Sequence, residues 1–151
     1  MGLFGLGKKP VRPLRLLAQT ADDLQALAPL LQDAVLLAGD ISYDPQGRHL
    51  TLTMSRYCHE RVGTQALRAP SVLRINGVVA LKRRTASPPD ARTALSLLDV
   101  SFDSGDEPAG VLILHFAGND QHDIRMDVEC VDILLLDLAA PRRAKTAPDH
   151  S

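Results

Sequence analysis

Tryptophan is absent from this 151-residue chain, and aromatic residues make up only 3% of it. Base-stacking platforms, aromatic cages and large aromatic docking anchors are therefore poorly supplied, and the core must be aliphatic. Cysteine is nearly as scarce: Cys58 and Cys130 make no disulfide framework, and both are expected reduced. No apolar run approaches the roughly 18 residues of a membrane span. The opening segment, Met1 to Pro10, has too short an apolar stretch, on the wrong side of Lys8 and Lys9, for a secretory signal. Leu6 stands where a myristoylation signal would carry Ser or Thr. These absences predict a cytoplasmic chain with no membrane partner. Also missing are Gly-x-Gly-x-x-Gly, the P-loop and Gly-x-Ser-x-Gly.

What the chain does have is segregated charge. The formal net charge is only -1. From Arg48 to Arg92, however, nine basic residues face two acidic ones, a balance of +7. From Thr93 to Leu138 ten acidic residues face Arg125 alone, a balance of -9. Either the two stretches neutralise each other, within one chain or between subunits, or each presents a field to a partner. Neutralisation is the expectation favoured by the near-neutral total.

The period of apolar residues organises the rest. Leu14 to Ala18 reads as a short strand. Thr20 can cap a helix whose first turn holds Asp22 and Asp23, where the helix dipole favours negative charge. Leu24, Leu27, Leu31, Ala34, Val35 and Ala38 continue at helical spacing to Gly39, and Pro29 predicts a kink or a split. Ile41 and Tyr43, the turn Asp44-Pro45-Gln46-Gly47, and Leu50, Leu52 and Met54 then predict a hairpin. Leu73, Ile75, Val79 and Leu81 share a face, with a bend at Asn76-Gly77. Leu98 to Phe102, Val111 to Phe116, and Ile124 to Cys130 read as further strands. Residues 131–138 fit either period and are assigned to a strand.

The expected fold is α+β: a kinked N-terminal helix on a mostly antiparallel sheet of about six or seven strands. A pleckstrin-homology-like barrel is the alternative, and it requires a helix at 131–138. The domain is expected to span residues 13–140, between a flexible N-terminus (1–12) and a disordered tail (141–151).

Leu16-Leu17-Ala18, Ala21-Asp22-Asp23-Leu24, Leu31-Gln32-Asp33-Ala34-Val35, Gly39-Asp40-Ile41 and Val128-Glu129-Cys130-Val131 together carry a resemblance. So do Tyr43, Pro45, Arg56-Tyr57, Leu95 to Leu98 and Pro148-Asp149-His150. The chain resembles a family of small alphaproteobacterial proteins catalogued as a domain of unknown function, over nearly the whole domain. Pro29 and His59 depart from the pattern. The resemblance implies a bacterial cytoplasmic protein and no particular activity.

No set of residues converges on a catalytic, cofactor or metal site in the sequence. Cys58, His59 and Glu60 contain a nucleophile, a base and a carboxylate, but neighbours on an extended segment point to opposite faces. An enzyme would need them to meet a distant His115 or His122. Paired zinc spacing is lacking among Cys58, His59, His115, His122 and Cys130. The basic stretch remains: Arg74 and Lys82 on a solvated strand face, joined by Arg56 on the hairpin with Arg83 and Arg84 at the rim, would form an anion-binding or docking surface. The expected function is a non-enzymatic protein-interaction or self-association domain, with anion or nucleic-acid binding as the alternative.

Overall fold

The Thr20 hydroxyl accepts from the Asp23 backbone N–H at 3.0 Å, while the Asp23 carboxylate accepts from the Gln19 N–H at 2.9 Å. These two bonds start the only α-helix of the described residues, α1, at Ala21–Leu31. It buries Leu24, Leu27 and Leu31. The computed structural model describes residues 12–59, 66–85, 87–118 and 120–143.

Pro29 does not split α1; the helix runs through it and stops two residues later. Proline withholds the N–H that the Gln25 carbonyl would have received, and Asp33 turns the chain at φ 70°. Of the continuing apolar spacing, Val35 therefore belongs to a strand and Ala38 to a short 3₁₀ turn. Among the described residues the strands are β1 (Arg15–Ala18), β2 (Val35–Leu37), β3 (Ile41–Asp44), β4 (His49–Tyr57), β5 (Leu67–Asn76) and β6 (Val78–Arg83). They continue with β7 (Ala94–Ser104), β8 (Gly110–Phe116), β9 (Ile124–Val128), β10 (Ile133–Asp137) and β11 (Arg142–Arg143).

All eleven strands join one antiparallel sheet, ordered β1-β10-β5-β4-β2-β7-β8-β9-β6, with β11 on β5 and β3 on β4. This corrects the α+β expectation of six or seven strands: the fold is mostly sheet with one short helix. Apparent single segments are really two strands. Gly77, at φ 70°, bends β5 into β6, so that β5 pairs with β4 and β10 while β6 pairs only with β9. The bend also shifts parity, burying Val78 and leaving Val79 exposed. A second bend at Cys130–Asp132 separates β9 from β10 and buries the odd-numbered Ile133, Leu135 and Asp137 rather than Leu134, Leu136 and Leu138.

The pleckstrin-homology-like alternative fails too, because Ile133–Asp137 is a strand paired on both sides and the path of neighbours does not close into a barrel. One aliphatic core runs through both halves of the sheet. It includes Leu50, Leu52, Leu73 and Ile75 from one half and Leu97, Leu112, Leu114 and Met126 from the other. No helix among the described residues is long and apolar enough to cross a membrane.

Candidate anion-binding site

Antiparallel pairing brings the two oppositely charged stretches together. Arg48 pairs with Glu129, Lys82 with Asp127 at 3.9 Å, and Arg56 with Asp137 at 2.8 Å. Each pair takes its cation from residues 48–92 and its carboxylate from residues 93–138, so part of the segregated charge is neutralised inside the chain.

Arg56 is the member of the expected basic surface that the fold removes from solvent. Its side chain and that of Asp137 are both 0% exposed. Arg56 shares strand parity with Leu50, Leu52 and Met54 and so lies on the core face of β4. Its Nε donates to Asp137 Oδ1 at 3.0 Å and its Nη2 to Oδ2 at 2.8 Å, a two-point clasp suited to guanidinium and carboxylate. Ser71 Oγ donates to Oδ1 at 2.6 Å and the Leu14 N–H to Oδ2 at 2.8 Å. Burial by itself would raise the Asp137 pKa; the hydrogen bonds from Arg56, Ser71 and Leu14, with the charge of Arg56, outweigh it and hold the carboxyl below its ordinary value. This is a structural clasp joining β4, β5 and β10 with the residue before β1.

The other expected residues divide. Arg74 stands on the exposed face of β5, where its Nε donates to Asn76 Oδ1 at 3.1 Å. Lys82, Arg83 and Arg84, at the end of the edge strand β6, instead line a recess of about 250 Å³ with Ile113, Arg125 and Asp123, beside His115. Register explains the convergence: Lys82 lies opposite Arg125 on β9, and Arg125 opposite Ile113 on β8. Partial burial pushes the Arg83 pKa down, as desolvation does to any cation. Among the lining residues Asp123 is the one carboxylate, and it is already engaged by two bonds described next.

His115 sits on the outer face of β8, since its neighbours Leu114 and Phe116 point into the core. Its Nδ1 lies 3.1 Å from Asp123 Oδ2, and its Nε2 lies 2.9 Å from Ser101 Oγ on β7. Asp123 Oδ1 accepts the Phe116 N–H at 2.9 Å. Ser101 also lines a larger cleft, of about 690 Å³, between α1 and β7. Among the described residues no three His, Cys, Asp or Glu side chains gather as metal ligands.

Cys58 and His59 do not form a pair. Cys58 is buried, with the Arg56 Nη2 at 3.8 Å from its sulfur. The His59 ring turns instead to the Gln32 carbonyl at 2.7 Å, and Tyr57 packs on its edge. Both ring nitrogens of His115 are bonded to Ser101 and Asp123, and Glu60 lies outside the described residues.

Residues 14–150 match the family described as "Protein of unknown function (DUF2948)". The chain belongs to this family. The matched span includes Leu31 to Val35 and Val128 to Val131, which carried the resemblance in the sequence. No curated protein and no solved structure matches the DUF2948 chain.

Sequence reasoning did not bring His115, Asp123 and Arg125 together with the β6 cations, nor Ser101 together with His115. Two signals pointed to them. Arg125 is the only Lys or Arg in the acidic stretch, and His115 is the only polar residue between Val111 and Phe116.

Proposed function

We propose that this DUF2948 chain binds a small anion, bearing phosphate or carboxylate, in the recess at the end of β6. One observation carries the reading: Lys82, Arg83 and Arg84 at the end of β6 and Arg125 on β9 line a single recess, where Lys82 meets Asp127 only at 3.9 Å and the one lining carboxylate, Asp123, is bonded to His115 and the Phe116 N–H. Converging cations in a part-buried site strengthen each interaction with an anion relative to the same charges in open water. A polymer such as RNA would call for cations tracking along a surface and for stacking residues. Here Arg74 is not among the residues lining the recess, Arg56 is buried, and aromatics are few. A homodimer with complementary charged faces has less charge to draw on, because Arg48 and Arg56 already meet carboxylates of their own chain.

Calorimetric titration with pyrophosphate tests the reading. Binding is expected at low salt and should weaken as salt rises. Arg125→Glu should lose about tenfold or more in affinity, the size expected for reversing a contacting charge. Equal affinity in the wild type and in Arg125→Glu contradicts it.

A further inference from the structure

We propose that Ser101, His115 and Asp123 form a nucleophile–base–orienter relay that cleaves esters or thioesters carrying an anionic group. The inference rests on the anion-binding reading of the adjoining recess, which would hold that group.

The geometry assigns the protons. An ionised Asp123 can only accept, so the hydrogen of a neutral His115 belongs on Nδ1, at 3.1 Å from Asp123 Oδ2. That leaves the Nε2 lone pair facing Ser101 Oγ at 2.9 Å, as the acceptor of the serine hydrogen. Asp123 is itself fixed by the Phe116 N–H and is 9% exposed, whereas the His115 side chain is 34% exposed and open to a substrate. The three roles come from three places: β7, β8 and the turn before β9. Neighbours in sequence could not supply this, which is why no linear motif announces it.

The surroundings define the substrate class. Ser101, Ile113, Arg125 and Lys82 form one cross-strand row on the outer face, by the pairings Ser101↔Ile113, Ile113↔Arg125 and Lys82↔Arg125. Arg125 stands two strands from Ser101 along this row and Lys82 three, so an anionic group held on the near side of Arg125 directs a carbonyl toward Ser101. The rest of the molecule can follow the cleft between α1 and β7, whose apolar lining includes Leu98, Ala28 and Pro29.

In the first step Ser101 Oγ bonds to the carbonyl carbon as its proton passes to His115 Nε2, and the carbonyl π electrons move to oxygen. Collapse breaks the bond to the leaving oxygen or sulfur, which takes the proton from Nε2. Water then repeats the sequence on the acyl-serine, releasing the acid and restoring Ser101. Asp123 stays ionised and acts as a positioning residue.

Two readouts on the full chain decide the matter. A fluorophosphonate probe should add to Ser101, located by peptide mass spectrometry. Mono-p-nitrophenyl glutarate, an ester carrying a carboxylate, should be cleaved with a higher kcat/KM than neutral p-nitrophenyl butyrate. Arg125→Glu should erase that preference. Ser101→Ala and His115→Ala should each lower kcat about 10³-fold or more, and the double variant should lose no more than either alone. Asp123→Asn should lower kcat with little change in KM, which a purely structural bond would not do. An unlabelled Ser101 in a folded wild type, or glutarate cleavage unchanged in Ser101→Ala, overturns the relay. If pyrophosphate still binds in that case, the relay alone has failed; if it does not, the anion-binding reading has failed as well.

Discussion

Arg56 and Arg125 are both arginines on strands of one sheet, yet one is sealed in the core and the other lines an open recess. Arg56 meets Asp137, whose two carboxylate oxygens are both hydrogen-bonded, so its charge is spent within the fold. Arg125 meets Lys82 across the strand pair, with Arg83 and Arg84 beside it. Cations gathered in one recess repel one another, so an anion from outside is favoured there. The difference teaches that charge in this chain is sorted by strand parity and register rather than by position along the sequence.

The largest expected effect breaks the buried side of the comparison. Arg56→Ala strands Asp137 in the core and should cost about 3–5 kcal/mol by chemical denaturation, a large share of the roughly 5–15 kcal/mol that holds a domain together. Arg56→Lys should not restore it, since a point charge cannot make the two-point clasp.

Asp137→Asn comes next. It keeps the shape but removes the charge, and should cost about 1.5–3 kcal/mol. The same group sets an acid limit. Because its folded pKa is held below the unfolded value of about 3.9, its contribution is whole above that pH. The contribution is lost as pH falls through the lower, folded value. Acid unfolding of the wild type should therefore steepen below about pH 4, and Asp137→Asn should flatten that slope.

Exposed pairs should matter far less. Arg48→Ala, which breaks the solvent-exposed pair with Glu129, should cost about 0.2–1 kcal/mol and less in high salt. Smallest of all should be the effect of Arg125→Glu on stability, within about 0.5 kcal/mol, despite its expected effect on pyrophosphate. A recess that proved more costly to disturb than the clasp would reverse the comparison.

Neither member of the clasp is foreseen: Arg56 is expected on the solvated basic surface and the even-numbered Leu134, Leu136 and Leu138 on the apolar face, although parity favours the opposite. Leu50, Leu52, Met54 and Arg56 keep one parity, and so do Ile133, Leu135 and Asp137. A charged residue ending an apolar alternation is a candidate for burial with a partner. The helix cap at Thr20, the hairpin of β3 and β4, and the strand at Val111 to Phe116 were legible, since each is set by local chemistry. The eleven-strand sheet was not. Val35 to Leu37 continues a helical spacing, yet backbone pairing with β4 and β7 claims it. The bends at Gly77 and Cys130–Asp132 each exchange the buried and exposed faces, which no periodicity carried across them can anticipate. The recess depended on register between β6, β8 and β9, where Lys82 meets Arg125 from a distant part of the chain and Arg125 meets Ile113 across a hairpin. Such pairings are fixed by the fold as a whole.

The most direct measurement is a backbone-amide NMR titration of the full chain with pyrophosphate. Saturable shifts should cluster at residues 82–84, 113–115 and 123–125, with Arg56, Asp137 and Arg74 left unmoved. Shifts centred on Arg74 and the face of β5, or none that saturate, would contradict the division of charge into a buried clasp and a binding recess.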